Sequence, residues 1–399
     1  MIRCFGVVHD DAEHQALREI ADNFWLTAGP KAAQFERDFA AYLGVNHALL
    51  CNSGSSANLL ALSALMSPKL GVDRLWPGDE VITTACAFAT TVAPIVQLGL
   101  VPVFVDVELG SYVASAESIG AAISDKTKAV MMAHACGVPF DCDAVPPDIW
   151  LVEDNCDALG SIYRGQRTGG IGDIGTHSFF AAHHITMGEG GCVVTHDDHI
   201  ARAVRSLCSW GRDCSCSPGQ NNACGHRFDK QHGDLPLGYD HKYVFGEIGY
   251  NLKVTEMQAA IGLAQMRKLP GFIKRRKANH AHLLKRLRVY PELIMPAAPE
   301  HSDPSWFCFI LTVADGARFT RDGLVSYLES RRIETRPLFA GNLRRHPAFQ
   351  HVPCRVAGDL KNTEKILSDS LLVGVWPGLD IAHMDTIADA VGEYIEGLA

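Results

Sequence analysis

The chain has 399 residues, 47% of them hydrophobic and 20% charged, with a formal net charge of −9. This is a globular, soluble balance, long enough for one large domain and one smaller one. The acidic excess argues against a nucleic-acid or anionic-membrane surface, and no run of 18 apolar residues is present to span a membrane.

The opening MIRCFGVVHDDAEHQ turns acidic at once and lacks the apolar core of a secretory signal, so a cytoplasmic location is expected. Residues 10–44 read as helices joined by a turn at 26–30. HALLCNSGSSANLLALSALMS then predicts a short strand, a Gly/Ser turn and an apolar helix. The turn Ser53-Gly54-Ser55-Ser56 opens that helix. A helix N-terminus offers free N–H groups and partial positive charge, which suits a phosphate; the same residues also make an ordinary N-cap turn.

Strand patterns follow at Asp79–Thr84, Pro102–Asp106, Lys128–His134 and Ile149–Asp154, alternating with helical stretches. This alternation implies an α/β fold with a mainly parallel sheet and a site at the strand C-termini. Residues 137–147 are short and proline-bearing, so a trimmed connection is expected there. From about Gly271 the pattern changes to a basic amphipathic helix and then strands such as Ser305–Leu311. The predicted units are a large domain over 15–260 and a small α+β domain over 271–399, the latter joined by residues 1–14. The run Lys274–Lys277 reads as a solvated helix face. No internal repeat or low-complexity tract is present.

The stretch Ser178–Val194, SFFAAHHITMGEGGCVV, carries the most chemistry. It resembles the cofactor-lysine segment of the nucleotide-sugar aminotransferases, enzymes of the pyridoxal 5′-phosphate (PLP) fold type I. In that family a serine precedes the Schiff-base lysine by five positions. Ser178 fits, but His183 stands at the lysine position. Lysine's amine forms an imine with PLP and imidazole does not, whereas histidine moves protons near neutral pH. The resemblance therefore implies a non-covalently held cofactor, pyridoxamine 5′-phosphate (PMP), and His183 as the proton-transfer group. It further implies that Ser55 and Ser56 bind the cofactor phosphate, Phe88 stacks on the ring and Asp154 pairs with the pyridine nitrogen. Asn251, in GYNLKVTEMQAA, would reach the phosphate of a neighbouring subunit, which implies a homodimer. Asp157 and Phe180 stand beside the cofactor where relatives often carry His or Gln and Tyr.

Thirteen cysteines, an odd count, suggest free thiols and a possible metal site instead of a disulfide framework. Cys214, Cys216 and Cys224 lie on a loop-like stretch within 208–226. Taken alone, they suit Fe–S or zinc ligation, or are free thiols. With Cys156 they make a Cys-x57-Cys-x-Cys-x7-Cys pattern. That pattern resembles the CDP-4-keto-6-deoxyglucose 3-dehydratases, which carry a [2Fe-2S] cluster. The resemblance implies C-3 deoxygenation of a nucleotide 4-keto-6-deoxyhexose in deoxysugar biosynthesis, with electrons from an NADH-dependent flavin or Fe–S reductase. Arg336, Asn342, Arg344 and Arg345 are candidates for the substrate diphosphate, or surface charges. Competing readings are a cluster-independent PMP dehydratase that uses glutamate, an aminotransferase, and a non-catalytic Fe–S redox sensor.

Overall fold

The structure, a computed structural model, describes residues 1–398 except 215, 217 and 218. The first helix, α1 (Asp11–Asn23), starts at a capping box in which Asp10 and Glu13 satisfy each other's backbone ends. Pro30 opens α2 (Pro30–Leu43), where its missing N–H costs nothing, and Gly44 closes it at φ +81°.

The central sheet is built from β1 (His47–Cys51), β2 (Glu80–Thr84), β3 (Val101–Val105), β4 (Thr127–Ala133) and β5 (Trp150–Asp154). A small hairpin, β6 (Ile162–Tyr163) and β7 (Gln166–Arg167), precedes β8 (Ile174–Ser178) and β9 (Gly191–Thr195). The eight-stranded order is β1-β9-β8-β5-β4-β2-β3-β13, with β13 at Arg355–Val356. Only β9 runs against the rest. The parallel strands are buried over nearly their whole length because both faces of the sheet are covered. On one face lie α3 (Gly54–Leu65) and α6 (Asp198–Cys208), packed over Leu49, Val81, Met131, Val152 and Val193. α3 is buried nearly all round, which explains its weak amphipathic pattern. The parallel register delivers the C-terminal ends of β1, β2, β5 and β8 to one edge.

Residues 137–147 form no full helix, only 3-10 turns at Ala135–Gly137 and Cys142–Ala144. Between α6 and α7 (Glu256–Met266) the chain makes an excursion whose only helical piece among the described residues is the 3-10 turn His241–Tyr243. Its two ends pair through bridges at Ser209–Asn251 and Arg212–Phe245.

The long helix α8 (Leu269–Leu287) leads to a second core. There β12 (Cys308–Val313) is the centre of an antiparallel sheet, between β10 (Leu293–Ile294) and β14 (Ser370–Gly374). Its core gathers Leu283, Phe309, Leu371, Ile387 and Val391. Residues near the N-terminus join this part, with Ile2 bridged to Ile333 and Cys4 N–H donating to Glu334. The C-terminal portion also reaches back: β13 extends the large sheet beside β3, and β11 (Ser302–Asp303) pairs with β6. The boundary between the two cores is therefore crossed by strands as well as by α8.

Candidate active site

A cavity of about 790 Å³ opens at the strand C-termini, between the two cores. At one end is the start of α3. Ser53 caps that helix by accepting from Ser56 N–H at 3.1 Å, and its hydroxyl lies 3.0 Å from Ser56 Oγ. Ser55 lines the cavity and donates to Thr90 Oγ1 at 2.9 Å. The approach here is close: a Cβ on Gly54 would lie 2.5 Å from Ser178 Cβ and 3.0 Å from Cys156 Sγ. Phe88 sits at the N-cap of α4 (Ala89–Gln97), 58% exposed and lining the cavity.

Asp154, at the last position of β5, is 4% exposed. Its Oδ2 accepts from Asn58 Nδ2 at 2.9 Å and Thr91 Oγ1 at 2.7 Å, and its Oδ1 accepts from Cys156 N–H at 3.2 Å. Asn58 is itself held by Thr176 Oγ1 at 2.6 Å. Oδ2 is thus saturated and Oδ1 keeps capacity for one further donor. A helix N-terminus with hydroxyls, a flat exposed phenyl ring and a clamped carboxylate in one cavity suit the phosphate, ring and protonated nitrogen of PMP or PLP.

The two adjacent histidines separate cleanly. His184 is buried, and its Nε2 donates to Ser305 C=O at 2.8 Å; burial pushes its pKa well down, so it is neutral and structural. His183 faces the cavity. Its N–H donates to Phe180 C=O at 3.0 Å, its ring lies 5.3 Å from that of Phe307, and its C=O accepts from Arg276 at 3.3 Å. Its Nδ1 is 3.4 Å from Asp157 Oδ1.

Ser55, Phe88, Asp154, Asp157, Ser178, His183, Cys156, Phe180 and Arg336 all line this one cavity. Ser56 stands one position behind it as part of the cap. Asn251 is exposed, accepts from Lys253 Nζ at 2.5 Å, and does not line the cavity. Asn342 is 1% exposed and turned inward, with its amide donating to Glu364 and its oxygen accepting from Arg344 N–H. Arg344 and Arg345 are exposed, and Arg345 pairs with Glu364. Of the basic substrate candidates only Arg336 reaches the cavity, tied to Glu334. Asn58, Thr91, Phe5 and Phe307 were not singled out from sequence. Asn58 carried a signal, since it stands one helical turn after Gly54 on the same face.

Cys214, Cys216 and Cys224 share a separate small concavity with Asn222, Arg227, His241 and Lys242. Ala223 N–H donating to Cys216 Sγ lowers that thiol's pKa, and burial raises that of Cys214. The donor set suits a thiophilic metal. His241 is 3.9 Å from Cys224 Sγ and 3.0 Å from Asp213, and with His232 these side chains form a convergent polar group absent from the sequence reading. Cys156 lies instead at the floor of the large cavity, where burial pushes its thiol well up. The structure thus gathers three of the four predicted cluster cysteines and places the fourth beside Asp154. A second convergence, His134, Cys142 and Glu153, is already used: Glu153 accepts from His134 and from three backbone N–H groups.

This sheet order, with a serine-capped helix start and a clamped carboxylate at the end of β5, is the architecture of PLP-dependent enzymes of aminotransferase fold type I. The chain belongs to the DegT/DnrJ/EryC1/StrS aminotransferase family, whose sequence model matches residues 8–392. It is 51% identical to a dTDP-4-dehydro-2,6-dideoxy-D-glucose 3-dehydratase of Saccharopolyspora spinosa, covering 99% of this chain and 86% of that protein. It is 48% identical to the lipopolysaccharide biosynthesis protein RfbH of Salmonella typhimurium, covering 98% and 90%. Among solved structures, an E. coli GDP-4-keto-6-deoxy-D-mannose-3-dehydratase with bound hydrated PLP superposes with a TM-score of 0.88 at 30% identity, covering 98% and 99%.

Proposed function

We propose that this protein is a PMP-dependent 3-dehydratase of a nucleotide 4-keto-6-deoxyhexose in deoxysugar biosynthesis. The observation that carries the reading is His183 on the cavity wall at the family's lysine position, in the same cavity as the clamped Asp154. Dehydratases among the relatives and structural neighbours point the same way.

Bound PMP would supply the amine that captures the 4-keto group and the ring that takes up electrons. Ser55, Ser56 and the N-terminus of α3 would hold its phosphate, Phe88 would cover one ring face, and Asp154 would keep the ring nitrogen protonated. His183 would take a proton from the cofactor methylene and deliver one to the departing C-3 hydroxyl. The apolar wall of Phe5, Phe307 and Phe339 excludes water from that transfer. Arg336 is the cationic group on the substrate side.

We further infer a [2Fe-2S] cluster held by Cys214, Cys216, Cys224 and Cys156, which would pass single electrons from a separate NADH-dependent reductase. The sequence pattern and the shared concavity of three cysteines support it. Cys156 lines the large cavity while the other three share the smaller concavity, which favours the second reading, a cluster-independent dehydratase. A homodimer, with Asn251 serving the partner's cofactor phosphate, is supported by exposed apolar side chains in the same excursion: Trp210, Tyr243, Phe245 and Ile248.

The test is a panel of CDP-, dTDP- and GDP-linked 4-keto-6-deoxy sugars with PMP, with and without a reductant, alongside iron and sulfide analysis. Reductant-dependent loss of the C-3 hydroxyl with about two irons per chain is expected. Turnover with glutamate and no iron would establish the second reading. Amine transfer to the sugar would refute both.

A further inference from the structure

We propose that Asp157 is a positioning residue that holds His183 in its Nδ1-protonated tautomer, leaving Nε2 free toward the cavity as the proton-transfer atom. The inference rests on the reading of His183 as the acid–base group. It gives Asp157 a role distinct from cofactor contact.

Four observations converge. First, His183 Nδ1 is fully buried and has no hydrogen-bond partner among the described residues. Its counter-group is Asp157 Oδ1 at 3.4 Å, inside ion-pair range though not in hydrogen-bond geometry. Catalytic hydrogen bonds are often this long before ligands bind. Second, Nε2 makes no hydrogen bond to any described residue, and unlike Nδ1 it is not among the buried unpartnered atoms; the side chain is 15% exposed and lines the large cavity. Third, the Asp157 carboxylate makes no hydrogen bond to any described residue, so nothing competes for it. Fourth, the histidine is fixed from behind by Arg276, which is 0% exposed. Arg276 donates to Phe307 C=O at 2.8 Å and to His183 C=O at 3.3 Å, and its Nε is buried without a partner. It forms no ion pair among the described residues. Burial pushes its pKa down to about 10, opposed by Cys308 and Asp157.

The chemistry follows from the donor inventory. A neutral imidazole carries one N–H and one lone pair, and whichever nitrogen meets the carboxylate keeps the proton. With Asp157 at Nδ1, the lone pair stands at Nε2. When Nε2 takes up a proton, Asp157 faces the resulting imidazolium and stabilises it. Without the carboxylate, the proton is free to sit on Nε2, where it blocks the base.

Two readouts test this. In enzyme without cofactor, labelled with [15N]histidine, two-bond 1H–15N correlations report the tautomer, and His183→Asn identifies the signal. Wild type should show protonated Nδ1, and Asp157→Ala should lose that preference. With PMP and substrate in D2O, exchange of the cofactor methylene proton should fall about 100-fold in Asp157→Ala, with PMP affinity changed less than threefold. Asp157→Asn keeps the shape and an acceptor oxygen, so it should restore the tautomer and much of the rate. If the alanine variant fails to fold, Asp157→Ser takes its place in both measurements. If neither the alanine nor the serine variant folds, the wild-type tautomer decides alone: a proton on Nε2 in the wild-type spectrum overturns the proposal. An unchanged tautomer in Asp157→Ala or Asp157→Ser overturns the proposal, as does a PMP affinity loss that accounts for the whole rate effect. If His183→Asn retains exchange, the base reading itself falls, a result distinct from either.

Discussion

Glu153→Gln should destabilise the fold strongly although it changes one atom. The carboxylate is 0% exposed and accepts from Gly169, Ile171 and Gly172 N–H groups, each at 2.7 Å, and from His134 Nε2 at 2.8 Å. His134 Nδ1 accepts from Phe140 N–H, so Nε2 carries the donated proton. Burial alone would raise the pKa of this acid, but the bond from His134 and the backbone donors outweigh it and hold the carboxyl below its ordinary range. Glutamine offers one acceptor oxygen and turns an NH2 toward a donor, leaving at least one buried N–H unpaired. Breaking such a buried charged site costs about 3–5 kcal/mol. The loss should appear as a lower urea midpoint by tryptophan fluorescence. Because Asp154 is the next residue, PMP affinity should also fall about tenfold. The depressed carboxyl contributes stability above its unfolded pKa of 4.5 and loses it as pH falls through the folded value, so the deficit of the variant should shrink in acid. A loss below about 1 kcal/mol with normal PMP affinity would refute the reasoning, because typical net hydrogen bonds already contribute that much.

Four further outcomes are expected. His183→Lys should gain a borohydride-fixed PLP adduct, seen by mass spectrometry, and lose methylene exchange by 100-fold or more. Cys216→Ser should keep PMP binding and methylene exchange yet yield no reductase-dependent product; full product would remove the electron-transfer role from the cysteine loop. Gly191→Ala should cost about 2–4 kcal/mol in denaturant unfolding, since its Cβ would lie 2.1 Å from Ser53 C=O at the turn that opens α3. His280 stacks on Trp306 with ring centroids 3.6 Å apart, and burial pushes its pKa down to about 3. The unfolded state takes up the proton first as pH drops below 6.5, so stability should fall from there toward pH 3; His280→Phe should flatten that limb, by at most about 5 kcal/mol.

The parts of the site legible in the sequence were those written within one strand-turn-helix unit. The Ser53–Ser56 turn, the acid ending β5 and the histidine after β8 each sit where local pattern and resemblance place them. What escaped the reading depends on contacts across distance. Asn58 and Thr91 clamp Asp154 from 96 and 63 positions away, and no periodicity marks a residue as a ligand of another strand's carboxylate. Phe5 and Phe307, stacked at 4.9 Å, bring the N-terminus and the residue before β12 to the cavity by tertiary packing alone. Asn342 shows the opposite failure. Its polarity suggested a substrate contact, but its side chain is consumed in capping the 3-10 turn that follows. The joining of β13 to the large sheet also left no trace, since two residues carry no alternation to read.

The paired ends of the 209–251 excursion bear on how such enzymes diversify. Asp213 N–H donates to Val244 C=O and Gly246 N–H donates to Gly211 C=O, so the chain leaves and re-enters the fold at almost one point. A loop tied at its neck adds little closure entropy to the domain that carries it, and its length is nearly free to vary. The three clustered cysteines lie wholly inside it, while the groups proposed for proton transfer lie wholly outside. The cysteine loop can therefore lengthen or shorten without moving a strand of the sheet beneath, whereas Cys156 is fixed just past the end of β5 inside the large cavity.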